Sequence, residues 1–112
     1  MDSQALAELV VKTLDDSKAK SIVCMDVRGL SNVADFMVIA TATSNRHGKS
    51  SADKVWEASK EAGNVPIGME GEESGEWILL DLGDVVVHLM LEQTRALYQL
   101  EKLWDMKTRP TA

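Results

Sequence analysis

Cysteine is all but missing from this 112-residue chain. Cys24 stands alone, so no disulfide can form within the chain and a reducing compartment is the expected setting. Histidine is nearly as scarce, with only His47 and His88, neither close in sequence to the other or to Cys24. The His and Cys clusters that bind zinc are therefore lacking, and no metal or other cofactor is expected. Positive charge is short as well: 12 Lys and Arg face 18 Asp and Glu, leaving a formal charge of -6 and a pI near 4.8. That balance works against a phosphate backbone as the main ligand, whose binding means replacing counterions with Lys and Arg. Direct nucleic-acid readout is not expected; a basic protein surface is the better match. No apolar run approaches the ~20 residues of a membrane span. The opening MDSQALAELV has neither the basic flank nor the apolar segment of a secretory signal, so a soluble cytoplasmic protein is expected. Aromatics are only 4% of residues, yet three of the five are Trp, and each calls for a reason.

What is present reads as one domain. At 45% hydrophobic, a chain of this length supports a single core and buries roughly two-thirds of its unfolded surface. Ser3 caps a predicted first helix with Leu6, Leu9, Val10 and Leu14 at helical spacing, ending near Asp15-Asp16-Ser17. SIVCMDV, 21–27, alternates as a strand, and FMVIATA, 36–42, is the nearly continuous apolar run of an interior strand. Thr43-Ser44-Asn45 opens a second helix that runs to Gly63 with Ala52, Val55, Trp56 and Ala62 on one face; Trp56 is assigned to the core. Residues 64–74 carry Pro66, Gly68, Gly71 and several acids, leaving room for at most a short strand near 67–70. A hairpin follows, then a third helix over 92–104 with Leu97, Leu100 and Trp104 on one stripe, and a fraying tail. This order predicts an α/β layer fold: a single domain with a mixed, roughly five-stranded sheet covered by helices.

The hairpin, GEWILLDLGDVVVHLMLE, carries the functional question. A two-residue loop at Leu82-Gly83 would oppose Asp81 to Asp84, Leu80 to Val85, Leu79 to Val86, Ile78 to Val87 and Trp77 to His88. One face then holds Ile78, Leu80, Val85, Val87, Leu89 and Leu91 and is core. The other mixes Trp77, Leu79, Asp81, Asp84, Val86, His88 and Met90, the composition of a surface partly wet and partly engaged by a partner. Leu82 is the weak point of this register, since leucine is poorly suited to the positive φ of a tight hairpin turn.

Catalytic readings find little. On one hairpin the acids at the turn lie ~13 Å from His88 at ~3.3 Å per residue, too far for direct contact. TSNRHGKS, 43–50, ends like a phosphate loop, but Thr43 stands where the first glycine belongs, which favours a helix cap with a solvated basic patch of Arg46, His47 and Lys49. Glu70, Glu72, Glu73 and Glu76 form an acidic loop, read either as a divalent-ion ligand set or as solvated charge unless something basic meets it.

Three segments then carry a resemblance: LDDSKAKSIVCMDVRGLSNVADFMVIATATSNRH, PIGMEGEESGEWILLDLGDVVVHLML and LYQLEKLW. Together, over roughly residue 5 to Trp104, they resemble the ribosomal silencing factor family, also called Iojap-like. The pairing of D-[FY]-x-[VI]-I-x-T-x-[TS]-S-x-R-H with E-G-x-x-x-x-x-W-x-[LV]-x-D-x-G-D-V-x-V-H is what the family shares. Ala42 departs from the Gly that members often carry there, a matter of local loop geometry.

The resemblance implies a nucleotidyltransferase-like fold without its catalytic acids, over 1–107 with a tail at 108–112. It implies a protein that is no enzyme but binds the large (50S) ribosomal subunit through ribosomal protein number fourteen, blocks joining of the small subunit and represses translation in starvation. Some members form homodimers in isolation. Carried onto this chain, Trp77 is the candidate aromatic anchor, with a core Trp under a helix as the other reading. Glu70, Glu72 and Glu73 would meet basic groups; Asp81 and Asp84 would join the contact, or Asp84 would cap the turn; Tyr98 would extend the patch from an exposed position. Asp26, Asp35, Arg46 and His47 match the family motif without an assigned role. Two other classes stay open: a dimeric scaffold for a different basic partner, and a nucleotidyltransferase-like enzyme, which lacks a D-x-D strand motif here.

Overall fold

The computed structural model describes residues 1–30 and 32–99. Its first helix, α1 (Ser3–Asp16), starts one residue earlier than its sequence suggests: Asp2, not Ser3, is the cap, accepting from the Ala5 amide at 2.7 Å. A carboxylate there meets both the orphan amide and the positive end of the helix dipole. Leu6, Ala7, Val10 and Leu14 form the buried stripe, while Leu9 is only half-buried at its edge.

Then come β1 (Lys20–Asp26), β2 (Phe36–Ala42), α2 (Asn45–Glu61), β3 (Gly68–Glu70), β4 (Trp77–Asp81), β5 (Val85–Leu91) and α3 (Glu92–Tyr98). Ser44 caps α2 through the His47 amide at 3.0 Å. Gly63, at φ +90, follows its last turn, where a left-handed residue is needed and glycine adopts it freely. Ala62, expected on the buried face, is instead the exposed residue at that helix end, and Trp56 is half-buried against the core rather than enclosed by it.

The five strands lie in the order β1-β2-β5-β4-β3. β2 and β5 run parallel and the other pairs antiparallel, giving the mixed sheet that the element order predicts. β5 is the middle strand with β2 beside it, so the apolar run of β2 is interior as read. Leu6, Val10 and Leu14 of α1 and Ala52 and Val55 of α2 pack with Val38, Ala40, Ile78, Leu80, Val85, Val87 and Leu89 in one core. Both helices therefore lie on the same face of the sheet. The opposite face belongs to the alternate residues of each strand.

The hairpin turn sits one residue further on than expected. Leu82 is 1% exposed and joins the core, its amide donating to the Val85 carbonyl at 3.0 Å. The loop is therefore Gly83-Asp84, with Gly83 at φ +93 in the position that favours glycine. Trp77 now opposes Met90, Leu79 opposes His88 and Asp81 opposes Val86. Each pair moves by two residues, the period of a strand, so both faces keep the membership read from sequence.

α3 is shorter than predicted. Gln99 is left-handed, φ 50, and its amide donates to the Arg95 carbonyl, closing the helix at Tyr98. Leu97, expected on a packed stripe, is 75% exposed. Leu100, Trp104 and the boundary near 107 lie outside the described residues.

Candidate functional site

The sheet face away from α1 and α2 is built in rows, because paired residues stand side by side. One row runs Glu70, Leu79, His88, Ile39, Val23; its neighbour includes Trp77, Met90 and Thr41. Trp77, Leu79, Asp81 and Val86 are half-buried, so the face is accessible while its middle is packed: Ile39 and Met90 are fully buried and His88 is 8% exposed. Trp77 is thus not a core residue beneath α1 or α2.

Trp77 is held on two sides. Its Nε1 donates to His88 Nδ1 at 2.9 Å, with the rings tilted by 48° and 5.9 Å between centroids. Tyr98 packs on it at 4.8 Å and 50°. Arg95 makes that second contact feasible by donating to the Ser21 carbonyl at 2.6 Å and to Thr41 Oγ1 at 2.9 Å, fastening α3 across the ends of β1 and β2. Tyr98 remains 55% exposed, as its place off the expected stripe implied.

The acids divide into two groups. Glu70 ends β3, and Glu72 and Glu73 follow it, all three exposed, the latter two on a loop closed by the Gly75 amide donating to the Gly71 carbonyl at 3.0 Å and tied to α2 by Asn45 Nδ2 on the Ser74 carbonyl. A Cβ at Gly71, where φ is +84, would fall on the Trp77 carbonyl oxygen. That close approach is what brings the loop onto β4. Glu70, Gly71, Trp77, Leu79 and His88 together line a cavity of about 340 Å³. Asp81 and Asp84 lie at the far end of the hairpin. Asp81 caps the turn, accepting from the Gly83 amide at 2.9 Å, the role sequence reading offered to Asp84. Asp84 turns its side chain to solvent, while its carbonyl accepts from the Asp35 and Phe36 amides at the start of β2.

The register expected from sequence sets His88 opposite Trp77 without joining them; in the structure they are hydrogen-bonded. The signal was present in their shared face. Burial pushes the imidazole pKa down to about 4, so the ring is neutral near pH 7 and Nδ1 is already engaged as an acceptor. His47, unassigned from sequence, belongs to the fold: its Nδ1 accepts from the Thr43 amide at 2.9 Å and its Nε2 pairs with the Ser17 carbonyl at 2.7 Å. Asp26 holds Arg28 in an exposed ion pair at 2.6 Å.

Gly48, Lys49 and Ser50 lie inside α2 rather than in a loop. Gly48 is buried, and a Cβ there would stand 3.3 Å from that of Ala42, so its task is close packing of helix on strand. Among the described residues no three His, Cys, Asp or Glu side chains converge to hold a metal ion. A larger groove of about 710 Å³ runs between α1 and β1; its Cys24 thiol has a raised pKa, from burial first and Asp26 second, which disfavours the nucleophilic thiolate. Among the described residues no helix is long and apolar enough to cross a membrane.

Comparison with known proteins agrees with this architecture. A family model described as "Ribosomal silencing factor during starvation" matches residues 1–112. A ribosomal silencing factor RsfS of Haemophilus influenzae is 45% identical over 100 residues, 89% of this chain and 98% of its own. Its counterpart in Chromobacterium violaceum is 44% identical over 104 residues, 93% of this chain and 85% of its own. A crystal structure of a Chromobacterium violaceum protein superposes with a TM-score of 0.92 at 42% identity, covering 99% of this chain and 92% of that one. With its whole length matched and its fold shared, the chain belongs to the RsfS family of ribosomal silencing factors.

Proposed function

We propose that this protein acts in the cytoplasm by binding the large ribosomal subunit through ribosomal protein number fourteen, occupying a contact that the small subunit needs. Translation is thereby repressed, most of all in starvation. The observation that carries this reading is Trp77, set between His88 and Tyr98 on an accessible sheet face whose cavity it shares with Glu70, with Glu72 and Glu73 exposed on the loop that follows. Binding energy concentrates in oriented aromatic residues of this kind, and exposed acids in a chain of charge -6 steer it toward a basic protein. The mechanism is steric, with no turnover. A body of 42 × 34 × 21 Å is large enough to exclude a subunit contact. Inhibition is then stoichiometric and acts on free large subunits, and in isolation the chain can pair as a homodimer.

The test is sucrose-gradient sedimentation of purified large subunits with wild-type protein or Trp77→Ala, before and after small subunits are added. Co-sedimentation and blocked joining by the wild type alone would support the reading. Equal binding by both proteins would move the interface off Trp77. Blocked joining at substoichiometric protein would sink the steric mechanism.

A further inference from the structure

One atom of the tryptophan cluster is unaccounted for. His88 spends Nδ1 on Trp77, and its Nε2 bonds to nothing among the described residues. No buried side-chain nitrogen or oxygen among them lacks a partner, so Nε2 must reach the surface although His88 is only 8% exposed. The opening that His88 lines is the 340 Å³ cavity shared with Glu70, Gly71, Trp77 and Leu79. Because Nδ1 accepts the indole proton, the proton of the neutral imidazole resides on Nε2. What the ring presents to the cavity is therefore an N–H donor, set deep beside the apolar walls of Trp77 and Leu79.

We infer that His88 determines specificity at this face: its Nε2–H donates to a carbonyl oxygen of the docked protein, main-chain or carboxamide, while Nδ1 holds Trp77 in its binding orientation. The inference rests on the docking proposed above. A donor that loses its water when a partner covers it costs free energy unless an acceptor replaces that water. The same row of the sheet runs His88, Leu79, Glu70, which places a carboxylate about 10 Å from the donor, two inter-strand spacings away. A basic residue on the partner fits that order, its own carbonyl at His88, its aliphatic stem over Leu79 and its cation toward Glu70. A cation seated directly on His88 does not fit, since it would face an N–H.

Two near-isosteric variants separate the two nitrogens. In His88→Asn the side-chain oxygen can stand where Nδ1 accepts, with nothing at Nε2. In His88→Gln the amide nitrogen can stand where Nε2 donates, with no acceptor for Trp77. The measurements are the dissociation constant for large subunits, by co-sedimentation, and the Trp77 indole N–H resonance of ¹⁵N-labelled protein, assigned with Trp77→Phe. His88→Asn is expected to keep the indole resonance and to bind about tenfold more weakly, the value of roughly one hydrogen bond. His88→Gln is expected to shift the resonance upfield, and it serves alone should the Asn variant not fold. Wild-type affinity in His88→Asn with the indole in place would overturn the donor role, and an unmoved indole in His88→Gln would overturn the orienting role. If wild-type protein binds no large subunits, the ribosomal reading and the donor role fall together, while the indole resonance still judges the orienting role.

Discussion

His47 on α2 reaches the carbonyl of Ser17, the residue just past α1, with 2.7 Å between Nε2 and oxygen. Its other nitrogen takes the Thr43 amide, so a single ring joins the end of one helix to the approach of the other. Ser17 and Ser51 meet alongside at 2.8 Å. His47→Ala leaves a carbonyl and an amide to find water, and about 1–2 kcal/mol of stability should be lost. Urea denaturation should show a lower midpoint, whereas large-subunit binding by the folded fraction should be unchanged because His47 is not on the Trp77 face.

Tyr98→Ala should have the opposite profile. The ring is 55% exposed, so removing it costs little stability, yet it deletes one of the two contacts that hold Trp77. Aromatic pairs contribute about 0.5–1.5 kcal/mol beyond area. Affinity for large subunits should fall by roughly three- to tenfold with Tm nearly constant; a wild-type affinity would remove Tyr98 from the interface.

His88 should make stability depend on pH. Its folded pKa is depressed to about 4 from 6.5, so the unfolded chain takes up the proton first and stability drops as pH falls through that window. Above about pH 6.5 the contribution is complete; below, it is lost at up to about 1.4 kcal/mol per unit, levelling off near pH 4. Carboxylates titrate at the lower end of the same range, so the quantity to read is the difference between wild type and His88→Asn in unfolding free energy across a pH series. A constant difference from pH 7 to 4 would contradict the buried neutral imidazole.

Two glycines with positive φ should separate cleanly. Gly83→Ala meets no atom closer than 3.6 Å and carries only the cost of its turn conformation, on the order of 1 kcal/mol. At Gly71 the added methyl lands on the Trp77 carbonyl, so Gly71→Ala must push the acidic loop off β4. It should cost clearly more stability, roughly 2 kcal/mol or above, and should weaken binding as well. Thermal unfolding of the two variants side by side decides the order.

Much of this was legible in the chain. Period-2 alternation from Trp77 to Leu91 separated a core face from a mixed face, and that division outlasted an error of register because a shift of two residues leaves faces unchanged. The turn itself was misplaced because burial of Leu82, a property of the whole fold, decided where the strands end. Local signals also failed at helix ends: Ser3 and Asp2 are both good caps, and only geometry chooses between them. The left-handed Gln99 that stops α3 has no signature comparable to glycine. The role of His47 was beyond reach for a related reason, since Ser17 comes from a distant segment, whereas that of His88 was within reach, its partner Trp77 lying on the same hairpin.

The parallel pairing of β2 with β5 brings residues 36–42 beside 85–91, and Tyr98 completes the cluster around Trp77. Most of the chain must therefore have left the exit tunnel before this surface exists. A nascent chain in which β5 and Tyr98 are not yet outside the tunnel lacks this face, however complete its first helix and first strands are.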